Sequence, residues 1–221
     1  MINPAWHAKI KHMETIVLIL FYIVILVVVL TVHEFSHAWA GHMLGDFTAK
    51  NEGRLTLNPA KHIDPFMTLL LPLGLILLGS PVVFGAAKPV PFNPYALRYG
   101  KWGAALVAFA GPASNLLMAL IVGVYLRFVD VGGLGGTFLL QFVLVNVAFF
   151  IFNMIPFPPL DGSRILYAVA PGEVRDVMDT IEQYGLIAIF AFIFIFYRFI
   201  GPIFTVAVEN LASFIVGKPV F

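Results

Sequence analysis

Residues 15–37 read TIVLILFYIVILVVVLTVHEFSH, and this stretch decides the fold. No charged residue occurs between residues 15 and 32, and the apolar pattern continues past the polar residues to residue 45. A helix over 15–45 would be about 46 Å long, which exceeds the roughly 30 Å hydrocarbon core of a bilayer. The sequence therefore predicts a membrane-spanning helix that carries polar side chains near its far end.

The composition agrees with a membrane location. Of 221 residues, 60% are hydrophobic and 11% are charged, whereas about 25% of residues in soluble domains are charged. The net charge of +1 offers no basic surface to nucleic acid. Because no cysteine is present, any metal must be bound by His, Asp or Glu. Lys9 and Lys11 precede the first apolar run as in a signal peptide, but the run is too long for one, and we expect it to be retained.

Further apolar windows predict an all-α polytopic membrane protein with a single domain, 1–221. We expect a three-helix catalytic core within about 15–164 and one or two C-terminal helices within about 181–217. Residues 205–217 alone are too short to predict a span. The windows lie at 65–87, 102–126, 131–160 and 185–204.

Two stretches depart from this helical pattern. Prolines and glycines interrupt the window 65–87, which predicts a re-entrant or broken segment rather than a straight helix. A brief alternation of polar and apolar residues predicts a short β-hairpin-like stretch. It is formed by Arg54, Leu55, Thr56 and Leu57.

Basic residues concentrate between the first long helix and the window 102–126. The positive-inside rule then assigns this region to the cytoplasm and the N-terminus to the outside, although Lys9 and Lys11 oppose that orientation. The basic residues are Lys50, Arg54, Lys61, Lys88, Arg98 and Lys101.

The polar end of the first helix contains an H-E-x-x-H motif. On a helix, His33 and His37 share one face, so both imidazoles can bind one Zn²⁺ while Glu34 acts as the base that takes a proton from the attacking water. Charged side chains inside a bilayer usually mark function. The alternative is a set of polar residues in a helix interface, or a helix end emerging into water.

A zinc site of this kind needs a third protein ligand, and two candidates remain. Glu52 follows the first helix, but it lies in the strand-like stretch. Asp161 follows the window 131–160 in NMIPFPPLDG, where three prolines break the helix. Asp161 is the stronger candidate, although it also has the position of an N-cap for a helix over 163–170.

The directions of the helices also favour Asp161 as the third ligand. His33 and His37 lie toward the C-terminal end of their helix, and Asp161 lies just past the C-terminal end of another. These side chains meet at one depth only if the two helices run in the same direction. The window 102–126 provides the return crossing, so we expect 65–87 not to make a complete crossing.

Three motifs in this order resemble the site-2 proteases, a family of intramembrane zinc metalloproteases. They are H-E-x-x-H at 33–37, GPASN at 111–115 and NMIPFPPLDG at 153–162. The resemblance covers about 15–164. The stretches 53–59, 62–68 and 84–94 also resemble the compact prokaryotic branch of the family, which lacks PDZ and CBS domains.

The resemblance implies a site. His33, His37 and Asp161 would be the ligands of one Zn²⁺ per chain, and Glu34 the catalytic base. Asn153 would lie near the metal and help orient or stabilise the developing oxyanion. A supporting polar residue of the core would be Asn115, and the substrate-binding strand would contain Arg54, Leu55, Thr56 and Leu57.

The resemblance also implies an activity, which is hydrolysis of a peptide bond within or near a transmembrane segment of a membrane protein substrate. We expect a multi-pass protein of the cell membrane with its active site toward the cytoplasmic side. Two alternatives stay open: a membrane transporter of divalent metals, and a non-catalytic metal-binding scaffold. The glutamate inside H-E-x-x-H favours hydrolysis, because a carrier needs no positioned base.

Overall fold

The computed structural model describes residues 4–77 and 87–220, and long helices dominate these residues. In chain order the α-helices are α1 (Pro4–Met43), α2 (Thr48–Asn51), α3 (Leu71–Leu77), α4 (Lys101–Phe128), α5 (Gly133–Asn153), α6 (Asp161–Val169), α7 (Gly172–Gln183), α8 (Leu186–Ile195) and α9 (Gly201–Val216). The all-α prediction is therefore confirmed for the described part of the chain.

Four helical stretches within the described ranges are long and apolar enough to cross a membrane. They are Thr15–Met43, Lys101–Phe128, Gly133–Asn153 and Arg198–Val216. Large apolar side chains on these helices, such as Leu20 and Ile121, are exposed rather than packed inside the protein. Contact with lipid accounts for this exposure, and the chain is a multi-pass membrane protein.

α1 continues without a break through the polar motif at its far end. Two hydroxyl side chains on the way bond to carbonyls one turn earlier: Thr31 Oγ1 donates to Val27 O at 2.6 Å, and Ser36 Oγ donates to Val32 O at 2.7 Å. Hydroxyls satisfied in this way can stay inside an apolar helix. The motif is consequently presented on regular helix.

α4 is the central helix of the bundle, because it contacts α1, α5, α6 and α9. On one side it forms an apolar core with α5 and α9. The buried members of that core are Ala119, Leu126, Val143, Val147, Val208, Ala212, Ile215 and Val216. Nearer its N-terminus α4 approaches the polar end of α1, where Asn115 Oδ1 lies 2.6 Å from His33 Nδ1, so α4 fixes that end relative to the core.

The predicted β-hairpin-like stretch is wrong, since no strand occurs among residues 4–77 and 87–220. The backbone at Arg54–Leu57 folds on itself: Thr56 N donates to Arg54 O at 3.0 Å, and Asn58 N donates to Thr56 Oγ1 at 3.1 Å. The Thr56 carbonyl is bound by His62 Nε2 at 2.7 Å. A stretch whose backbone groups are used locally forms no ladder.

The segment that begins at Pro65 is helical as far as it is described. π-helical turns over Pro65–Leu70 lead directly into α3. Asp64 starts the segment, because its carboxylate accepts from the N–H groups of Phe66 and Met67, each at 2.9 Å. Residues 78–86 lie outside the described residues, so the expectation that 65–87 does not cross stays a prediction.

The C-terminal region contains a longer helix than the sequence predicted. α9 starts before residue 205, with a proline in its first turn, and π-helical residues Phe196–Ile200 join it to α8. Gly217 ends it in the left-handed conformation with φ 80°. The resulting stretch Arg198–Val216 is long enough to span a membrane, whereas residues 205–217 alone are too short to predict a span.

Candidate metal centre

Two histidines on one face of α1 meet a carboxylate from α6. His33 Nε2 lies 3.0 Å from His37 Nε2. Asp161 Oδ2 lies 3.1 Å from His33 Nε2 and 3.4 Å from His37 Nε2. Within the described part of the chain, these side chains form the one group of three His or acidic residues close enough to share a metal ion.

The second nitrogen of each imidazole is bound to a protein acceptor. His33 Nδ1 lies 2.6 Å from Asn115 Oδ1, and His37 Nδ1 lies 2.7 Å from Val107 O. Because carbonyl oxygens only accept, each Nδ1 is a protonated donor, which leaves Nε2 as the nitrogen that can bind a metal. Both Nε2 atoms lie within 3.4 Å of Asp161 Oδ2, and each offers a lone pair to a metal when its imidazole is neutral.

This arrangement of acceptors fits a cation. Asp161 Oδ2 is buried and has no hydrogen-bond donor among the described residues. Ligand atoms bonded tetrahedrally at about 2.0–2.1 Å lie roughly 3.3 Å from each other, and the separations here are 3.0, 3.1 and 3.4 Å. Three protein ligands also leave a fourth position for water or substrate, as catalytic zinc requires.

Asp161 reaches α1 because of the way α6 begins. The N-cap of α6 is Leu160, and Asp161 is the first helical residue, so the alternative hypothesis that Asp161 is the N-cap is wrong. A Cβ on Gly162 would lie 2.6 Å from Ile155 O and closer still to Met154 O. Only glycine allows this approach, which holds the start of α6 against the chain that leaves α5.

Gly111 of α4 makes room for the two imidazoles. A Cβ at this position would lie 2.7 Å from His33 Nε2 and closer still to the His37 ring. The glycine therefore lets the backbone of α4 close one side of the centre. The sequence motif GPASN contains both this glycine and Asn115, so one helix supplies the space and a supporting hydrogen bond.

A buried chain of amides fixes the orientation of His33, and the sequence analysis missed one of its members. Asn115 Nδ2 donates to Asn146 Oδ1 at 3.2 Å, and Asn146 Nδ2 donates to Phe142 O at 2.9 Å. Both asparagine side chains are fully buried. Asn146 thereby holds the Asn115 oxygen toward His33 Nδ1, as outer partners of metal ligands do. The available signal was an Asn in the middle of the apolar window 131–160, away from the motif that starts at Asn153.

Glu34 lies beside the centre and is almost completely buried. Its Oε2 accepts a hydrogen bond of 3.0 Å from the backbone N–H of Val90. Sequence reasoning did not identify Val90, because a backbone N–H leaves no trace in a side-chain pattern. The glutamate is thus oriented by a distant part of the chain.

None of the other predicted site residues belongs to the group of three acceptors. Asn153 is the last residue of α5, and its Nδ2 donates to Phe149 O of the same helix at 3.0 Å. Glu52 is exposed and is not a member of the metal-binding group. Arg54 is buried, whereas Leu57 is exposed.

The geometry defines a metal-binding centre set among membrane-spanning helices, and comparisons with known proteins give the class of enzyme and the family. Residues 133–196 match the model of peptidase family M50. The Bacillus subtilis (strain 168) protein named "Putative zinc metalloprotease YwhC" is 40% identical over 174 residues, which cover 75% of this chain and 76% of that relative. The chain belongs to peptidase family M50, the site-2 proteases, and is a zinc metalloprotease.

Two relatives named Rip2 carry the same description. Rip2 of Mycolicibacterium smegmatis is 31% identical over 164 residues, covering 72% of this chain and 61% of the relative. Rip2 of Mycobacterium tuberculosis (strain H37Rv) is 31% identical over 179 residues, covering 78% and 64%. This chain thus spans less than two thirds of either Rip2 protein. No solved structure matches the chain.

Proposed function

We propose that this zinc metalloprotease is an intramembrane endopeptidase that performs regulated intramembrane proteolysis. The observation that carries the proposal is the position of the centre along α1. His33 and His37 belong to the apolar stretch Thr15–Met43, and His33 lies roughly 27 Å beyond Thr15 along the helix axis. Its substrate would be a membrane protein that is cut at a peptide bond within or beside a transmembrane segment, because such a bond lies at the same depth in the membrane as the metal centre.

His33, His37 and Asp161 are the proposed ligands of one Zn²⁺. Bound zinc supplies a Lewis acid that polarises the scissile carbonyl and lowers the pKa of water. The protein contributes two neutral imidazoles and one carboxylate, so the ligand set carries a charge of about −1. Asn115 and Val107 hold the imidazoles in the tautomer that leaves Nε2 free to bind.

Glu34 is the proposed general base, with a role at two points of the reaction. Its carboxylate takes the proton of the attacking water and later gives it to the leaving amine. Burial beside the ligands supports this role, since a carboxylate in a site that excludes bulk water interacts strongly with a nearby proton. Asn153, at the end of α5, would turn its amide toward the substrate and stabilise the developing oxyanion.

A helical substrate must unwind before it can be cut, because its peptide bonds are enclosed by the helix. We propose that residues 54–57 contact the unwound segment, and the exposed Leu57 offers an apolar surface for this contact. The Arg54 side chain points inward, so any contribution from this residue comes through its backbone. Helix-weakening residues in a substrate would lower the cost of unwinding.

The proposed orientation places the active site toward the cytoplasmic side of the cell membrane. Five of the six basic residues from Lys50 to Lys101 are exposed, namely Lys50, Lys61, Lys88, Arg98 and Lys101. Exposed basic residues in short connections favour the cytoplasm. The C-terminal end of α1, next to the metal centre, enters this region.

Cleavage of a membrane helix tests the proposal. The full chain is reconstituted in vesicles with a single-span substrate protein and with a variant in which one Ala of the span is replaced by Gly. We expect both to be cleaved and the Gly variant to be cleaved about fivefold faster, because Gly weakens a helix by about 1 kcal/mol. Product fragments are measured by mass spectrometry.

A zinc chelator is the control for this experiment and should stop the cleavage of both substrates. The same segment offered as a short, unfolded peptide in solution separates two kinds of protease. If only the soluble peptide is cleaved and both membrane spans stay intact, the intramembrane function is wrong.

A further inference from the structure

Residues 87–93 form an irregular segment that we call the strap. Val90, in the middle of the strap, contacts Glu34, the proposed catalytic base. The strap has no helix or strand, yet its backbone is bonded to other elements at several points. Lys88 N donates to His62 O at 2.9 Å, Val90 N donates to Glu34 Oε2 at 3.0 Å, and Asn93 N donates to Asp46 Oδ2 at 2.6 Å. An irregular backbone held in this way has a fixed position.

The sequence of the strap singles out one N–H group. Val90 stands between Pro89 and Pro91, and neither proline has a backbone N–H. Pro91 also restricts Val90 to extended conformations. The pattern Pro-Val-Pro therefore presents a single donor on stiff, extended backbone, and that donor is the one bound to Glu34.

Arg54 secures the strap on the side that precedes Val90. Its guanidinium Nη2 donates to Lys88 O at 2.5 Å and to Pro89 O at 3.3 Å. The residue is only 5% exposed. A buried arginine bound to two carbonyls of one segment fixes that segment more firmly than a flexible surface contact does.

Asp46 secures the other end of the strap. Its burial opposes ionisation, but hydrogen bonds from Thr48 and from the Asn93 N–H hold the pKa of Asp46 below its ordinary value. The carboxylate is thus ionised at neutral pH and binds the strap as a charged acceptor. Val90 lies between two anchored ends.

We propose that the Val90 N–H orients Glu34 for proton transfer and that Arg54 is a positioning residue that acts through the strap. The inference rests on the proposed function of Glu34 as the base. The hydrogen bond engages Oε2 and so fixes the direction in which Oε1 points. General base catalysis depends on this direction, because the proton must lie within hydrogen-bond reach of the base.

The Val90→Pro variant removes the N–H and keeps the extended conformation, whereas Val90→Ala shortens the side chain and keeps the N–H. Both are measured in vesicles with a single-span substrate. We expect kcat of Val90→Pro to be about tenfold below that of Val90→Ala, with similar KM and zinc content, since hydrogen bonds to charged groups are the strong ones. Equal kcat values for the two variants would overturn the proposal.

Arg54 variants separate positioning from a general loss of structure. We expect Arg54→Gln to lower kcat about tenfold with little change in KM or in bound zinc, and Arg54→Lys to restore part of the loss, because one ammonium can still donate to a strap carbonyl. A loss of zinc and kcat in parallel, equally in both variants, would contradict a positioning role.

Hydrogen exchange tests the contact without any measurement of activity. In the full chain, Glu34→Ala should speed exchange of the Val90 amide by more than about tenfold, while the Lys88 amide, which is bound to His62 O, should exchange as before. Unchanged exchange at Val90 would overturn the proposal. If the wild-type protein cleaves no membrane helix, the proposed function fails, and the exchange measurement still decides whether Val90 holds Glu34.

Discussion

Glu34→Gln is expected to lower kcat by about 10³-fold while the protein keeps its zinc. The amide has almost the shape of the carboxylate, and its oxygen can still accept from the Val90 N–H, so the site should remain intact. It cannot take a proton from water, and general acid–base catalysis contributes about 10²–10⁴-fold. Fragment release and zinc content are measured on the same preparations.

Glu52→Gln is the matched control for this variant. It makes the same chemical change at an exposed carboxylate outside the metal centre, and cleavage should stay at the wild-type rate. Metal uptake into the same vesicles is also measured, because it tests the alternative that the protein is a divalent-metal transporter. Undiminished cleavage by Glu34→Gln would show that the base lies elsewhere, and zinc uptake without cleavage would favour a carrier.

Gly111→Ala is expected to weaken zinc binding by at least about tenfold and to abolish most cleavage. The added Cβ would lie 2.7 Å from His33 Nε2 and closer to the His37 ring, so the imidazoles or α4 must move. Loss of well-placed support around a metal costs about 10–100-fold in affinity or activity. Competition with a chromophoric chelator measures the affinity.

Gly41→Ala provides the comparison, because Gly41 lies on α1 near His37 and a Cβ there meets nothing within 4 Å. Both substitutions raise helix propensity by a similar amount, about 1 kcal/mol. A difference between them therefore reports the contact with the imidazoles. Equal zinc affinity in the two variants would mean that α4 does not close the centre as described.

Much of the fold could be predicted because apolar windows and helix periodicity are local signals. The spacing of His33 and His37 predicts a shared face on any helix. The strand at Arg54–Leu57 was predicted from four alternating residues, which is too short a pattern to outweigh tertiary contacts. Arg54 turns inward to bind the carbonyls of the strap, and those carbonyls lie far away in sequence.

The parts of the site that the sequence did not reveal depend on packing between helices. Asn146 becomes a partner of Asn115 only where α4 and α5 meet, and no spacing rule relates the two residues. Val90 contributes a backbone N–H, which every residue except proline has. Its neighbours Pro89 and Pro91 could have indicated Val90, because neither proline has an N–H and Val90 is the one backbone donor of the three residues.

X-ray absorption at the zinc edge of the purified chain tests the central claim most directly. The account predicts one zinc per chain with light N or O ligands at about 2.0–2.1 Å, and the scattering pattern of two imidazoles. The Asp161→Ala variant should lose one oxygen ligand or the metal itself. A zinc bound by one or by three imidazoles, or a wild-type spectrum unchanged in Asp161→Ala, would contradict a centre formed by His33, His37 and Asp161.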